Sequence, residues 1–172
     1  MNLKKKIRNI PDFPQKGVIF RDIGPLLEDK VAFREAIAQL VGKIGGLKVD
    51  KVVGIDARGF ILAGVLAEKL NAGMVMVRKS GKLPYKTEVV EYDLEYGKEV
   101  LEIQQDSIRP GEQILLVDDV LATGGSMSAA IRLVEKLGGE VVKIVFLIVL
   151  DYLPGRKVLD KYKVISLINY QK

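Results

Sequence analysis

The stretch Ile114-Leu115-Leu116-Val117-Asp118-Asp119-Val120-Leu121-Ala122-Thr123-Gly124-Gly125-Ser126 decides how the rest of the chain is read. Its first four residues, all apolar, suit a strand buried on both faces, as in a parallel sheet covered by helices. Two acids follow where that strand is expected to stop. A turn of small residues, Ala122 to Ser126, then leads into an amphipathic helix that Gly138-Gly139 ends. A helix start with free N–H groups, two hydroxyls and two glycines is suited to hold a phosphate. The donors point at the anion, the helix dipole adds roughly 0.3–1 kcal/mol, and glycine lets the backbone approach. A phosphate cradle alone has no use for two carboxylates, so Asp118 and Asp119 call for another partner, sugar hydroxyls or a Mg²⁺ ion. Phosphate beside a vicinal diol describes a ribose 5-phosphate. Taken singly, Asp-Asp after a strand is a solvated loop start and Thr-Gly-Gly-Ser a capped turn; their order on one strand-to-helix crossover carries the functional reading. Neither Gly-x-x-x-x-Gly-Lys-Ser/Thr nor Gly-x-Gly-x-x-Gly occurs in the chain.

Working outward, Val52 to Ile55 reads as a second buried strand with an acid-tipped loop, Asp56-Ala57-Arg58-Gly59, behind it. A helix over Phe60–Leu70 and a strand over Met74–Val77 complete one strand-helix-strand unit, and residues 114–150 form another. Two such units imply an open, mainly parallel sheet flanked by helices. Ligands collect at the carboxyl ends of such strands, so both loops point to one crevice. Arg58 either reaches a second phosphate there or makes a structural salt bridge. From Lys30 to Ile44, Phe33, Ile37, Leu40, Val41 and Ile44 recur at helical spacing before Gly45-Gly46. Leu3 to Ile10 is expected to form a short helix that Pro11 and Pro14 end. In Gly17 to Ile23, Phe20 either packs into the core or offers a stacking face to a planar ring.

Residues 78–103 differ in character. Arg78-Lys79-Ser80-Gly81-Lys82-Leu83-Pro84 is basic, and β-favouring runs flank Gly97, which suggests a two-stranded ribbon. A lone ribbon is marginally stable. That makes it a candidate lid, ordered when Arg78, Lys79 and Lys82 meet an anion, or else a solvated hairpin. Pro154-Gly155-Arg156 breaks the pattern, and Val164 to Ile168 is expected to add an edge strand.

A length of 172 residues fits one domain with a real core. The longest apolar run, Ile144 to Leu150, is too short to span a bilayer, and the basic N-terminus has no apolar stretch behind it, so a cytoplasmic protein without membrane attachment is expected. With no cysteine and no histidine, disulfides, the usual zinc sites, thiol nucleophiles and imidazole bases are excluded. Acid–base work falls to Asp, Glu, Lys or Tyr. The net charge of +5 suits an anionic partner, small phosphates or nucleic acid alike.

Val117 to Ser126 resembles the phosphoribosyl pyrophosphate motif of the type I phosphoribosyltransferases, in the form seen in the adenine phosphoribosyltransferases. Three further motifs follow the family's order. Asp12-Phe13-Pro14 with Gly17 to Ile23 looks like the base-binding segment, Gly54 to Phe60 like the pyrophosphate loop, and Arg78 to Pro84 with Leu94-Glu95-Tyr96-Gly97 like the catalytic lid. Ser126 stands where threonine is commoner. The resemblance implies one domain over 1–172, with a base-binding hood in 1–30 and a lid ribbon in 78–103. It implies transfer of the phosphoribosyl group from phosphoribosyl pyrophosphate to N9 of adenine, giving AMP and pyrophosphate with Mg²⁺, as in purine salvage. Carried over, Ala122, Thr123, Gly124, Gly125 and Ser126 hold the 5-phosphate, and Asp118 and Asp119 the ribose hydroxyls. Asp56, Ala57, Arg58, Arg78, Lys79 and Lys82 face the pyrophosphate. Ile19 and Arg21 contact adenine with Phe20 stacked on it, and Glu95 manages the purine's proton. The metal is held mainly by substrate oxygens, with no firm protein ligand, and the family suggests a homodimer. Two alternatives stay open: transfer to another base, or a phosphoribosyl-pyrophosphate sensor. Nucleic-acid binding is not expected, since the lysines are spread along the chain instead of clustered with aromatics.

Overall fold

The computed structural model describes residues 1–93 and 97–171. Its first correction lies at the N-terminus. A 3₁₀ turn over Leu3–Lys6 is followed by strand β1 (Arg8–Pro11), which pairs antiparallel with β2 (Ile19–Asp22), so the helix expected over Leu3 to Ile10 does not continue past Lys6. The turn between the strands is tied by Asp12, whose Oδ1 accepts from the Gly17 N–H at 2.7 Å. This pairing, from Arg8 with Asp22 to Pro11 with Ile19, overrides the local helical pattern.

After a short helix α1 (Gly24–Glu28), helix α2 (Lys30–Ile44) has the expected bounds. Asp29 caps it, accepting from the N–H groups of Val31 and Ala32 at 2.9 and 3.1 Å, and Ile37, Leu40 and Ile44 are buried. Strand β3 (Lys51–Ile55), helix α3 (Gly59–Lys69) and strand β4 (Gly73–Lys79) form the first parallel unit. Strands β5 (Thr87–Asp93) and β6 (Lys98–Gln104) form the ribbon. Strand β7 (Gln113–Leu121), helix α4 (Gly125–Lys136) and strand β8 (Glu140–Leu150) form the second unit, and a short helix α5 (Gly155–Val158) leads to edge strand β9 (Val164–Tyr170).

The seven-stranded sheet has the order β5-β6-β4-β3-β7-β8-β9, parallel except where β6 meets β4 and β5. Its apolar strands feed two cores, one per face, as period-two alternation requires. Leu115 and Val117 of β7 join α2 and α3 on one side, while Ile114 and Leu116 join α4 on the other. Two expectations change here. The ribbon is not alone: β6 pairs with β4 at Arg78 and Lys79, and Val90, Leu101 and Ile103 belong to the core beneath α4. Nor does β7 stop before the acids. Its pairing with β3 ends at Val117, but it stays paired with β8 through Leu121. Asp118 and Asp119 therefore sit on a rigid strand with one side open, at the switch point where α3 leaves on one face and α4 on the other.

Candidate active site

The open side of β7 borders a cavity of about 350 Å³ lined by Val18 to Arg21 from β2 and the segment before it, Asp56 to Arg58 from the loop after β3, Asp118 to Val120 from β7, Ala122 and Ser126 from the turn into α4, and Leu150 from β8. Three segments singled out in the sequence thus meet the base-binding segment in one space. The Asp56–Ala57 peptide bond is cis.

The acidic pair is compact. Asp118 Oδ1 accepts from the Asp119 N–H at 2.8 Å, and Asp119 is 4% exposed. Arg58 Nε lies 2.8 Å from Asp119 Oδ2, yet no N–H of the described residues is aligned on that buried oxygen, which keeps acceptor capacity. Burial, then the neighbouring Asp119 charge, pushes the Asp118 carboxyl well above its ordinary range. Burial also pushes Asp119 up, and Arg58 opposes it.

Thr123, Gly124 and Gly125 back the turn without lining the cavity. Gly124 adopts φ +88°, a left-handed conformation that favours glycine, and thereby starts α4 with its N–H groups free of any side-chain cap. A Cβ on Gly125 would meet the Tyr92 ring at 3.2 Å, so the ribbon lies against the first residue of α4. The expected lid cations are placed differently. Arg78 is drawn to Asp56, Nε to Oδ2 at 3.0 Å, and Lys79 pairs with Glu99 on β6, which also accepts from the Tyr92 hydroxyl at 2.7 Å. Lys82 is exposed, with its N–H held by Glu102 at 2.9 Å. None of the three lines the cavity. Glu95 lies outside the described residues.

Phe20 is half-buried and belongs to neither core; Phe13 meets it edge-on at 5.2 Å and the Arg58 guanidinium lies 4.8 Å from its ring centre. Arg21 borders the cavity, but its guanidinium turns to Asn9 and Tyr170. The sequence reading missed Leu150, although the end of an apolar parallel strand points to the same crevice. It also missed Gly155, whose N–H donates to the Ala122 carbonyl at 3.0 Å and whose Cβ, if present, would strike that same oxygen. Nothing local to residue 155 announces that contact.

A helix start open to an anion beside an acidic pair at a parallel-sheet switch point defines a phosphoribosyltransferase, and the model of the phosphoribosyl transferase domain family matches residues 24–171. The chain is 56% identical to an adenine phosphoribosyltransferase of Thermotoga sp. (strain RQ2) over 170 residues, 99% of this chain and all of the relative. The crystal structure of adenine phosphoribosyltransferase from Thermoanaerobacter pseudethanolicus superposes with a TM-score of 0.96 at 49% identity, covering 98% of both chains. That from Saccharomyces cerevisiae, complexed with an imino-altritol bisphosphate and adenine, gives 0.89 at 37% identity, covering 95% of both. The chain belongs to the adenine phosphoribosyltransferase family.

Proposed function

We propose that the protein transfers the 5-phosphoribosyl group from phosphoribosyl pyrophosphate to N9 of adenine, giving AMP and pyrophosphate in purine salvage. One observation carries this reading: a single cavity joins the β2 segment, an arginine loop, a buried acid pair and the start of α4. The 5-phosphate sits on Ala122 to Ser126, where N–H groups and the helix dipole favour an anion. Asp118 and Asp119 accept from the ribose hydroxyls. Bond breaking at the anomeric carbon leaves a cation-like sugar and a departing anion, so carboxylates near the ribose and Arg58 near the pyrophosphate stabilise what forms. Arg78, Lys79 and Lys82 join Arg58, with Asp56 and Ala57 shaping the loop, once the anion outcompetes the carboxylates that hold Arg78 and Lys79. Adenine lies against Ile19 and Phe20, beside Arg21.

Mg²⁺ fits the donor set as an ion carried on substrate oxygens, since an acid pair with one oxygen lacking an aligned donor suits a hydrated cation on a diphosphate. When bound it neutralises the leaving pyrophosphate. Glu95 manages the purine's proton in the closed site, where desolvation raises a carboxylate toward neutrality; full turnover by Glu95→Gln would rule this out. Residues 1–172 act as one unit, with a hood in 1–30 and a lid in 78–103. No helix among the described residues is long and apolar enough to cross a membrane; a cytoplasmic place is part of the proposal. The partner copy of a homodimer would cover apolar surface such as Met74 and Met76, which share one face of β4 and are 38% and 40% exposed.

The test is pyrophosphate release from phosphoribosyl pyrophosphate and Mg²⁺ with adenine, hypoxanthine, guanine, xanthine or orotate supplied singly. Release and AMP formation with adenine alone is expected. Release with another base instead would overturn the base assignment, and binding without release would point to a sensor.

A further inference from the structure

The strand assigned to the base belongs to a sheet of two four-residue strands that shares no ladder with the main sheet. Such a pair is marginal by itself. Its orientation over the cavity must therefore be set by side chains, and the most buried of these is Arg21, 8% exposed. Arg21 NH1 donates to Asn9 Oδ1 across the hairpin at 2.5 Å, its guanidinium carbon lies 3.9 Å from the centre of the Tyr170 ring, and its Nε has no acceptor among the described residues. Tyr170, 6% exposed, also takes the Lys4 ammonium at 4.3 Å from its ring centre, and Lys4 donates to the Asn169 carbonyl. Tyr170 pairs in register with Leu150, which lines the cavity. One aromatic ring on the last strand thus gathers the 3₁₀ turn and β2, next to the cavity wall.

We propose that Tyr170, with Asn9 as the second point of attachment, is a positioning residue for the base: it holds the Arg21 guanidinium as a tether and so fixes the main chain of residues 19–21. A desolvated cation–π contact is strong enough to hold a strand pair that is otherwise marginal. In this role the Arg21 side chain does not read the base. The proposal rests on the adenine reading for the identity of the base, but the tether itself does not.

The test compares Tyr170→Leu with Tyr170→Phe. The leucine variant is expected to raise KM for adenine about tenfold while KM for phosphoribosyl pyrophosphate stays within about twofold; phenylalanine keeps the ring face and restores the lower value. In amide hydrogen exchange on the unliganded protein, residues 8–22 exchange faster in the leucine variant and residues 113–121 do not. An equal rise in both KM values, an unchanged KM for adenine, or faster exchange throughout the main sheet would overturn the tether. Should the leucine variant not fold, Asn9→Ala is measured in its place against the same outcomes. If wild-type protein uses no base, the adenine reading fails, and the exchange measurement still decides the tether.

Discussion

Arg58 meets two groups that a substrate would also claim, the Asp119 carboxylate and the Phe20 ring. In the empty site it compensates a buried charge, and Asp119→Asn removes that charge and puts an N–H donor in place of one acceptor oxygen, leaving Arg58 without its carboxylate. Asp119→Asn is expected to lower kcat/KM about a hundredfold, the scale of losing one preorganised electrostatic contact, without loss of secondary structure by circular dichroism. Gly155→Ala acts from the far side of the same turn: its Cβ strikes the Ala122 carbonyl and the Leu121 side chain, both fixed, so the phosphate loop must shift. A raised KM for phosphoribosyl pyrophosphate and a lower melting temperature are expected; wild-type values for both would show that the turn tolerates displacement. These residues also mark what the sequence could tell. Asp118, Asp119, Arg58 and the turn 122–126 were readable because each motif is contiguous and its chemistry local. Gly155, Asn9 and Tyr170 were not, because each acts through a partner tens of residues away or across a hairpin.

At the scale of elements, Asp29 joins two devices at the start of α2, capping the helix and pairing with Lys6 at 2.7 Å. Those contacts, the Lys6 hydrogen bond first, hold its carboxyl down at about 2 instead of 3.8. Because the folded value is depressed, the stabilisation is present above pH 3.8 and disappears as pH falls toward about 2. The melting-temperature gap between wild type and Asp29→Ala should therefore be constant above that window and close within it. The ribbon behaves as a sheet extension anchored by Glu102, which is 4% exposed and accepts from the Lys82 and Leu83 N–H groups at 2.9 and 2.8 Å. Glu102→Ala leaves both donors without that partner and is expected to cost about 2 kcal/mol in chemical denaturation and to speed proteolysis at 80–86. An unchanged midpoint and cleavage rate would return the segment to a free hairpin. The helices and parallel strands were readable from periodicity. The N-terminal helix and the lone ribbon were misread because pairing of β1 with β2 and of β6 with β4 is non-local and outweighs local propensity.

For the whole molecule, the absence of histidine and cysteine removes the side chains that ordinarily titrate between pH 5 and 8. In the crevice, burial and the neighbouring Asp119 charge raise the Asp118 carboxyl well above its ordinary range. The sign runs opposite to that of Asp29. A group whose folded pKa lies above its unfolded value binds more protons in the folded state, so its contribution to stability is full below 3.8 and is lost as pH rises through the folded value. Catalysis wants the reverse, since a cation-like sugar is stabilised by the carboxylate and not by the neutral acid. Stability measured without ligand should thus fall over the same pH interval in which kcat/KM for phosphoribosyl pyrophosphate rises. Asp118→Asn, neutral throughout, should flatten both curves together and leave kcat/KM at its low-pH level. If the variant kept the wild-type inflection, or if wild-type stability climbed with pH across that interval, the titrating group would have to be sought outside the acidic pair.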